Sequence, residues 1–137
     1  MHYTPWKGYQ KFVDLGFALA GFNSAANSTS IDRASHNFAH QSACVLVSAE
    51  AASTSTSLAI KIQHSDNGST WADVVPGEHS PLSFTKTVST AAAGLHELHI
   101  ALSYLKRYFR VVATPAGGEF EGRIFLQYYN SRKEPIS

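Results

Sequence analysis

Several short runs of the chain alternate apolar and polar residues with a period of two, the signature of a strand with one buried face. In SLAIKIQH (57–64), Leu58, Ile60 and Ile62 fall on one side and Ala59, Lys61 and Gln63 on the other. LSFTKTV (82–88) sets Leu82, Phe84, Lys86 and Val88 against Ser83, Thr85 and Thr87, and RIFLQYY (123–129) sets Ile124, Leu126 and Tyr128 against Phe125, Gln127 and Tyr129. ACVLVS (43–48) is apolar without interruption, which predicts a strand covered on both faces. Three stretches of small and polar residues, 23–32, 49–57 and 89–94, separate these runs. Many short strands joined by turn-rich connections predict an antiparallel architecture.

GLHELHIALSYLKRYF reads two ways. Leu95, Leu98, Leu102, Leu105 and Phe109 recur at helical spacing, while Leu98, Ile100 and Leu102 also alternate and RYFRVVAT is rich in aromatic and β-branched residues. The expected outcome is a strand, one short helical turn near Ala101–Leu105, then another strand. The fold class that follows is all-β: a single antiparallel β-sandwich or small barrel of jelly-roll or Ig-like type. It is expected to have an extended N-terminal arm and at most one short helical turn. The expected organisation is an arm and first strand over 1–22, the sandwich over 23–132 and a polar tail over 133–137.

QHSDNGSTW (63–71) is the stretch that most looks like a motif. As a hairpin corner it uses every residue. Asn67 and Gly68 tolerate the positive φ of a tight primed turn, Asp66 can bond its own backbone two residues on, and Trp71 begins the return strand TWADVV. A sialidase-type Asp box shares Asp66, Gly68, Thr70 and Trp71 but has serine where this chain has His64. A calcium loop needs more oxygen donors and a distal glutamate. Asp66, Asn67, Gly68 and Trp71 are therefore read as a structural turn, with Trp71 largely buried at its base.

Composition narrows the chemistry. In 137 residues, 44% are hydrophobic and 15% charged, with 11 Lys and Arg against 10 Asp and Glu. This length fits one core. A nearly neutral surface exerts little long-range pull on nucleic acid or acidic membranes and does little to oppose association between proteins. KRYFR (106–110) interleaves basic and aromatic residues, but Arg107 and Arg110 have opposite parity in a strand, so no nucleic-acid partner is expected. No apolar stretch is long enough to span a membrane, and FVDLGFALAGF (12–22) lacks the features of a signal peptide, so no membrane partner and a cytoplasmic origin are expected. The one cysteine, Cys44, sits in an apolar run and reads as a buried, inert thiol.

Of the seven histidines, His36 and His40 are spaced for one helix face, and His96 and His99 are three apart. In a strand the first pair would lie ~13 Å apart, and no cysteine cluster or HExxH motif supports either pair. Glu119 and Glu121 would share one strand face, whereas glycosidase carboxylates flank a cleft. Gly117-Gly118 reads as a hairpin loop. No nucleophile elbow, phosphate loop or dinucleotide motif is present. The expectation is no enzyme, no catalytic residue, no cofactor and no metal ligand. MHYTPWKGYQKF instead gathers Tyr3, Trp6, Tyr9 and Phe12, with Pro5 and Gly8 opposing a helix. Aromatics are frequent interface anchors, so these four are the candidate interface residues.

Taken in order, "IQHSDNGSTWADV … LKRYFRVVAT" resembles small structural proteins encoded in the head-gene regions of tailed bacteriophages, namely capsid decoration (cement) proteins and related accessory virion subunits. The resemblance covers mainly residues 43–114. It implies a non-enzymatic protein, made in the host cytoplasm and carried on the capsid exterior. There it would bind the outer surface of a shell of major capsid protein and reinforce that lattice. It also implies self-association, with a homotrimer favoured, and brings no catalytic residues with it. Two other readings stay open: another virion component (tail, connector or fibre subunit), and a carbohydrate-binding module using Trp71 and Trp6.

Overall fold

The computed structural model describes residues 9–18, 20–35, 42–75 and 84–130. Among them, ten strands are β1 (Tyr9–Asp14), β2 (Ala26–Asn27), β3 (Ile31–Asp32), β4 (Ser42–Ala49), β5 (Ser57–Ser65), β6 (Ala72–Asp73), β7 (Thr85–Ser89), β8 (Gly94–Ala101), β9 (Tyr108–Ala116) and β10 (Gly122–Asn130). The only helical element among the described residues is a 3-10 turn at Leu102–Tyr104, where the dual-period segment was expected to turn.

All pairings are antiparallel. One sheet runs β1-β10-β4-β8. In the other, β9 and β5 form the centre, with β2 and β3 sharing the outer edge of β9 and β6 and β7 sharing the outer edge of β5. Counting each split edge as one strand leaves eight. The first then pairs with the eighth, the second with the seventh, the third with the sixth and the fourth with the fifth. A ribbon nested in this way and wound into two sheets is a jelly roll. Of the two expected forms the structure is a sandwich, with no closed barrel among the described residues.

The period-two pattern correctly names the inward residues. Leu58, Ile60 and Ile62 of β5 and Ile124, Leu126 and Tyr128 of β10 join Val45, Val47, Leu98, Ile100, Phe109 and Val111 in one core. Phe84, Phe109 and Phe120 are buried among them. A buried aromatic removes ~150–250 Å² from water, so these three rings contribute ~4–6 kcal/mol each before entropy is counted. Before β2, the chain leaves β1 by way of Leu15 and Phe17, both in the core, and Phe22 bridges to Phe120.

Three local expectations are corrected. Gly117-Gly118 is no hairpin loop: β9 and β10 belong to different sheets, so these glycines carry the chain across the sandwich. Gly117 has φ +78°, and a Cβ on Gly118 would lie 2.5 Å from the Thr54 carbonyl oxygen, so the crossing is packed too tightly for side chains. Glu119 and Glu121 lie in this same crossing rather than on a strand face. Finally, β4 is not covered on both sides. Ala43, Val45 and Val47 face the core, whereas Leu46 and Ser48 are half-exposed on the outer face.

Candidate interaction surface

The corner at 65–71 is built by Ser65 and Asn67. The Ser65 hydroxyl, 1% exposed, accepts hydrogen bonds from the amides of Asn67 (3.2 Å) and Gly68 (2.9 Å), and donates to Asn67 Oδ1 (2.9 Å). Asn67 Oδ1 in turn accepts from the amides of Ser69 (2.8 Å) and Thr70 (2.9 Å). Two side chains thus satisfy four loop amides. This differs from a two-residue primed turn: Gly68 alone in the corner has positive φ (+77°), and the ladder resumes only at His64–Ala72. Asp66 does not close the bend. Its exposed carboxylate meets Lys106 Nζ at 3.3 Å.

Trp71 is half-buried, not enclosed. Its ring lies on the outer face of the second sheet beneath the Arg110 guanidinium, 4.5 Å from the ring centre. Arg110 also donates to Gln63 Oε1 (2.9 Å), Gln63 donates to Asp73 Oδ1 (2.9 Å), and Lys61 meets Asp73 at 3.2 Å. The two sequence segments that carry the phage resemblance are therefore one spatial unit. β5 pairs with β9 so that Gln63 opposes Arg110 and His64 opposes Phe109. The Lys106 amide donates to His64 Nδ1 (3.2 Å), and Tyr108 packs against Gly68. Arg107 forms a two-pronged ion pair with Asp32 (3.0 and 3.1 Å), and this bond holds the Asp32 carboxyl down at about 2. Lys106, Arg107 and Arg110 are each engaged within the chain.

The outer face of the first sheet is different. Phe12 of β1, Phe125 of β10, Leu46 of β4 and Leu95 of β8 line a shallow groove of about 310 Å³ with Ser48. Register explains the stripe. Phe125 opposes Leu46 directly, while Phe12 and Leu95 stand one same-face step away on the flanking strands. Phe12 is 57% and Leu95 63% exposed. An apolar band crossing all four strands of a sheet is the kind of surface that marks a contact with another molecule.

Of the candidate interface residues, Phe12 belongs to this stripe and Tyr9 opens β1, opposite Asn130. Tyr3 and Trp6 lie outside the described residues, as do His36 and His40. His96 and His99 fall on opposite faces of β8, so the paired-histidine arrangement does not form. Sequence reasoning missed Leu46, Leu95 and Phe125. Leu95 and Phe125 stood as apolar residues on the polar side of their alternations and Leu46 inside an unbroken apolar run, but only the register shows that they adjoin.

No family model matches the sequence, and no curated protein matches it. Among solved structures, the PBSX exported protein XepA is similar over 98% of this chain, with a TM-score of 0.59 and 16% identity. The chain spans 42% of the length of that protein. At this identity the likeness establishes a shared fold.

Proposed function

We propose that this protein is a non-enzymatic virion structural protein that binds the outer surface of a phage capsid and stabilises the lattice of major capsid protein. The observation that carries this reading is the apolar stripe Phe12–Phe125–Leu46–Leu95 on a disulfide-free jelly roll. A sheet face of this kind supplies a dry contact, and repetition of modest contacts over a lattice gives firm attachment through avidity. Similarity to the PBSX exported protein XepA supports a phage-associated role. Jelly rolls serve viral capsids and lectins alike, so the fold itself does not choose between them.

The test is decoration of purified shells that lack the protein. Wild-type chain should bind expanded shells to saturation at fixed stoichiometry. A Phe12→Ser/Leu95→Ser variant should bind roughly tenfold or more weakly while keeping its melting temperature, because both side chains are already in water. No binding to any expanded shell, or equal binding by the variant, would overturn the assignment. The second reading, a tail, connector or fibre subunit using the same face, predicts that labelled protein localises to the tail of whole particles. A carbohydrate platform at Trp71 is disfavoured because Arg110 occupies one face of that ring.

A further inference from the structure

β4 and β8 pair along their whole length, with Cys44 directly opposite His99 and Leu46 opposite Glu97. Residues two apart on a strand share a face, so Glu97 and His99 project to the side on which Cys44 lies. That side is the outer one, because Ala43, Val45, Leu98 and Ile100 turn into the core. The Cys44 sulfur, a Glu97 carboxylate oxygen and a His99 ring nitrogen consequently lie within 4.8 Å of one another. Glu97 and His99 already meet at 3.1 Å. Cys44 is 7% exposed, and a cavity of about 210 Å³, lined by Cys44, His99 and Gln127 among others, opens beside it.

We propose that Cys44, Glu97 and His99 form a three-ligand site for a divalent transition-metal ion of the zinc type on the outer face of the first sheet. Thiolate, imidazole and carboxylate are the ligand types that zinc accepts, and a soft thiolate disfavours magnesium and calcium. Zinc–ligand bonds of ~2.0–2.3 Å at tetrahedral angles place donor atoms ~3.3–3.8 Å apart. Glu97 and His99 therefore need only draw closer to the Cys44 sulfur, by roughly 1 Å at most. Rotation of the Glu97 and His99 side chains supplies this, since they are 51% and 76% exposed and the paired strands need not move. One thiolate and one carboxylate balance the charge of the ion.

Binding forms the metal–sulfur bond as the thiol gives up its proton to solvent. Lys86 sits nearby with its ammonium on the Glu97 main-chain oxygen, at 2.6 Å, rather than on the carboxylate. The fourth coordination position faces outward, open to water or to a donor from a neighbouring molecule. The site follows from the register of β4 and β8 and does not depend on capsid binding.

The test is titration of the full chain with Co²⁺ and Zn²⁺. Cobalt should produce a thiolate-to-metal charge-transfer band in the near ultraviolet together with the visible bands of a tetrahedral ion. The near-ultraviolet band should vanish in Cys44→Ser, and affinity should fall roughly tenfold or more in His99→Gln or Glu97→Gln. Cobalt binding without the thiolate band, or a band that survives Cys44→Ser, would each overturn the proposal. So would the absence of any binding at ~0.1 mM metal, a concentration far above that at which structural zinc sites fill.

Discussion

If Ser65 and Asn67 build the corner, replacing Ser65 by alanine should damage the fold while replacing its more conspicuous neighbour Asp66 should not. Ser65→Ala removes three hydrogen bonds at 2.9–3.2 Å and leaves the amides of Asn67 and Gly68 without their acceptor. A net hydrogen bond is worth ~0.5–1.5 kcal/mol. Water reaches part of this loop, so the lower half of that range applies to each, giving ~1.5–3 kcal/mol in all. For a domain of this size that is a fall of ~5–10 °C in melting temperature. Asp66→Ala removes one exposed ion pair with Lys106, whose side chains are 80% and 46% exposed, and should cost under ~0.5 kcal/mol. Denaturant unfolding of the two variants, analysed as two-state, measures both values. Equal losses, or a larger loss for Asp66→Ala, would refute the assignment of the corner to Ser65.

Trp71→Ala should cost ~1–2 kcal/mol, less than the ~3–5 kcal/mol of a fully buried aromatic, because the residue is only half-buried. A double-mutant cycle with Arg110→Ala should show coupling of ~0.5–1 kcal/mol; zero coupling would mean that the stacking contributes nothing. Gly122→Ala should cost more than ~2 kcal/mol, because the added Cβ would lie 2.1 Å from the Ser48 carbonyl oxygen and force β10 away from β4. Gly94→Ala, whose Cβ would meet only the His96 side chain at an ordinary contact distance of 3.8 Å, is the matched control and should be close to neutral on the same unfolding assay. Two pH effects follow in the same direction from different groups. The Asp32 carboxyl at about 2, against 3.8 unperturbed, contributes stability that is present above pH ~4 and lost as pH falls from 3.8 towards 2. His64 is held below its usual 6.5, by burial first and then by Lys106, so the folded state loses stability as pH drops below about 6.5 through its folded pKa. His64→Gln should flatten the upper window and Asp32→Asn the lower one, each read from melting temperature against pH.

Alternation of side chains was sufficient to name the strands and their inward residues. Leu58, Ile60 and Ile62 or Ile124, Leu126 and Tyr128 repeat at a spacing that only a half-buried strand explains, and a one-residue slip would turn them all into water. The same local logic placed a helical turn between β8 and β9, where helical and strand spacing overlap. It failed where the neighbour matters more than the residue. Asp66 looked like the turn-former because Asp often is, yet Ser65 lies under the loop amides and Asp66 points away to Lys106. Trp71 looked like core, but its ring lies half-buried beneath the Arg110 guanidinium on the outer face.

The sequence by itself determined an all-β chain with alternating strands and a polar corner. Tertiary structure alone decided that these strands wind as a nested ribbon, that Phe12, Leu46, Leu95 and Phe125 form one uncovered band, and that Cys44 meets Glu97 and His99. The physical reason is that a strand's own period fixes which face a side chain occupies. Which side chains share that face is set by pairing between distant segments, and pairing leaves no local trace.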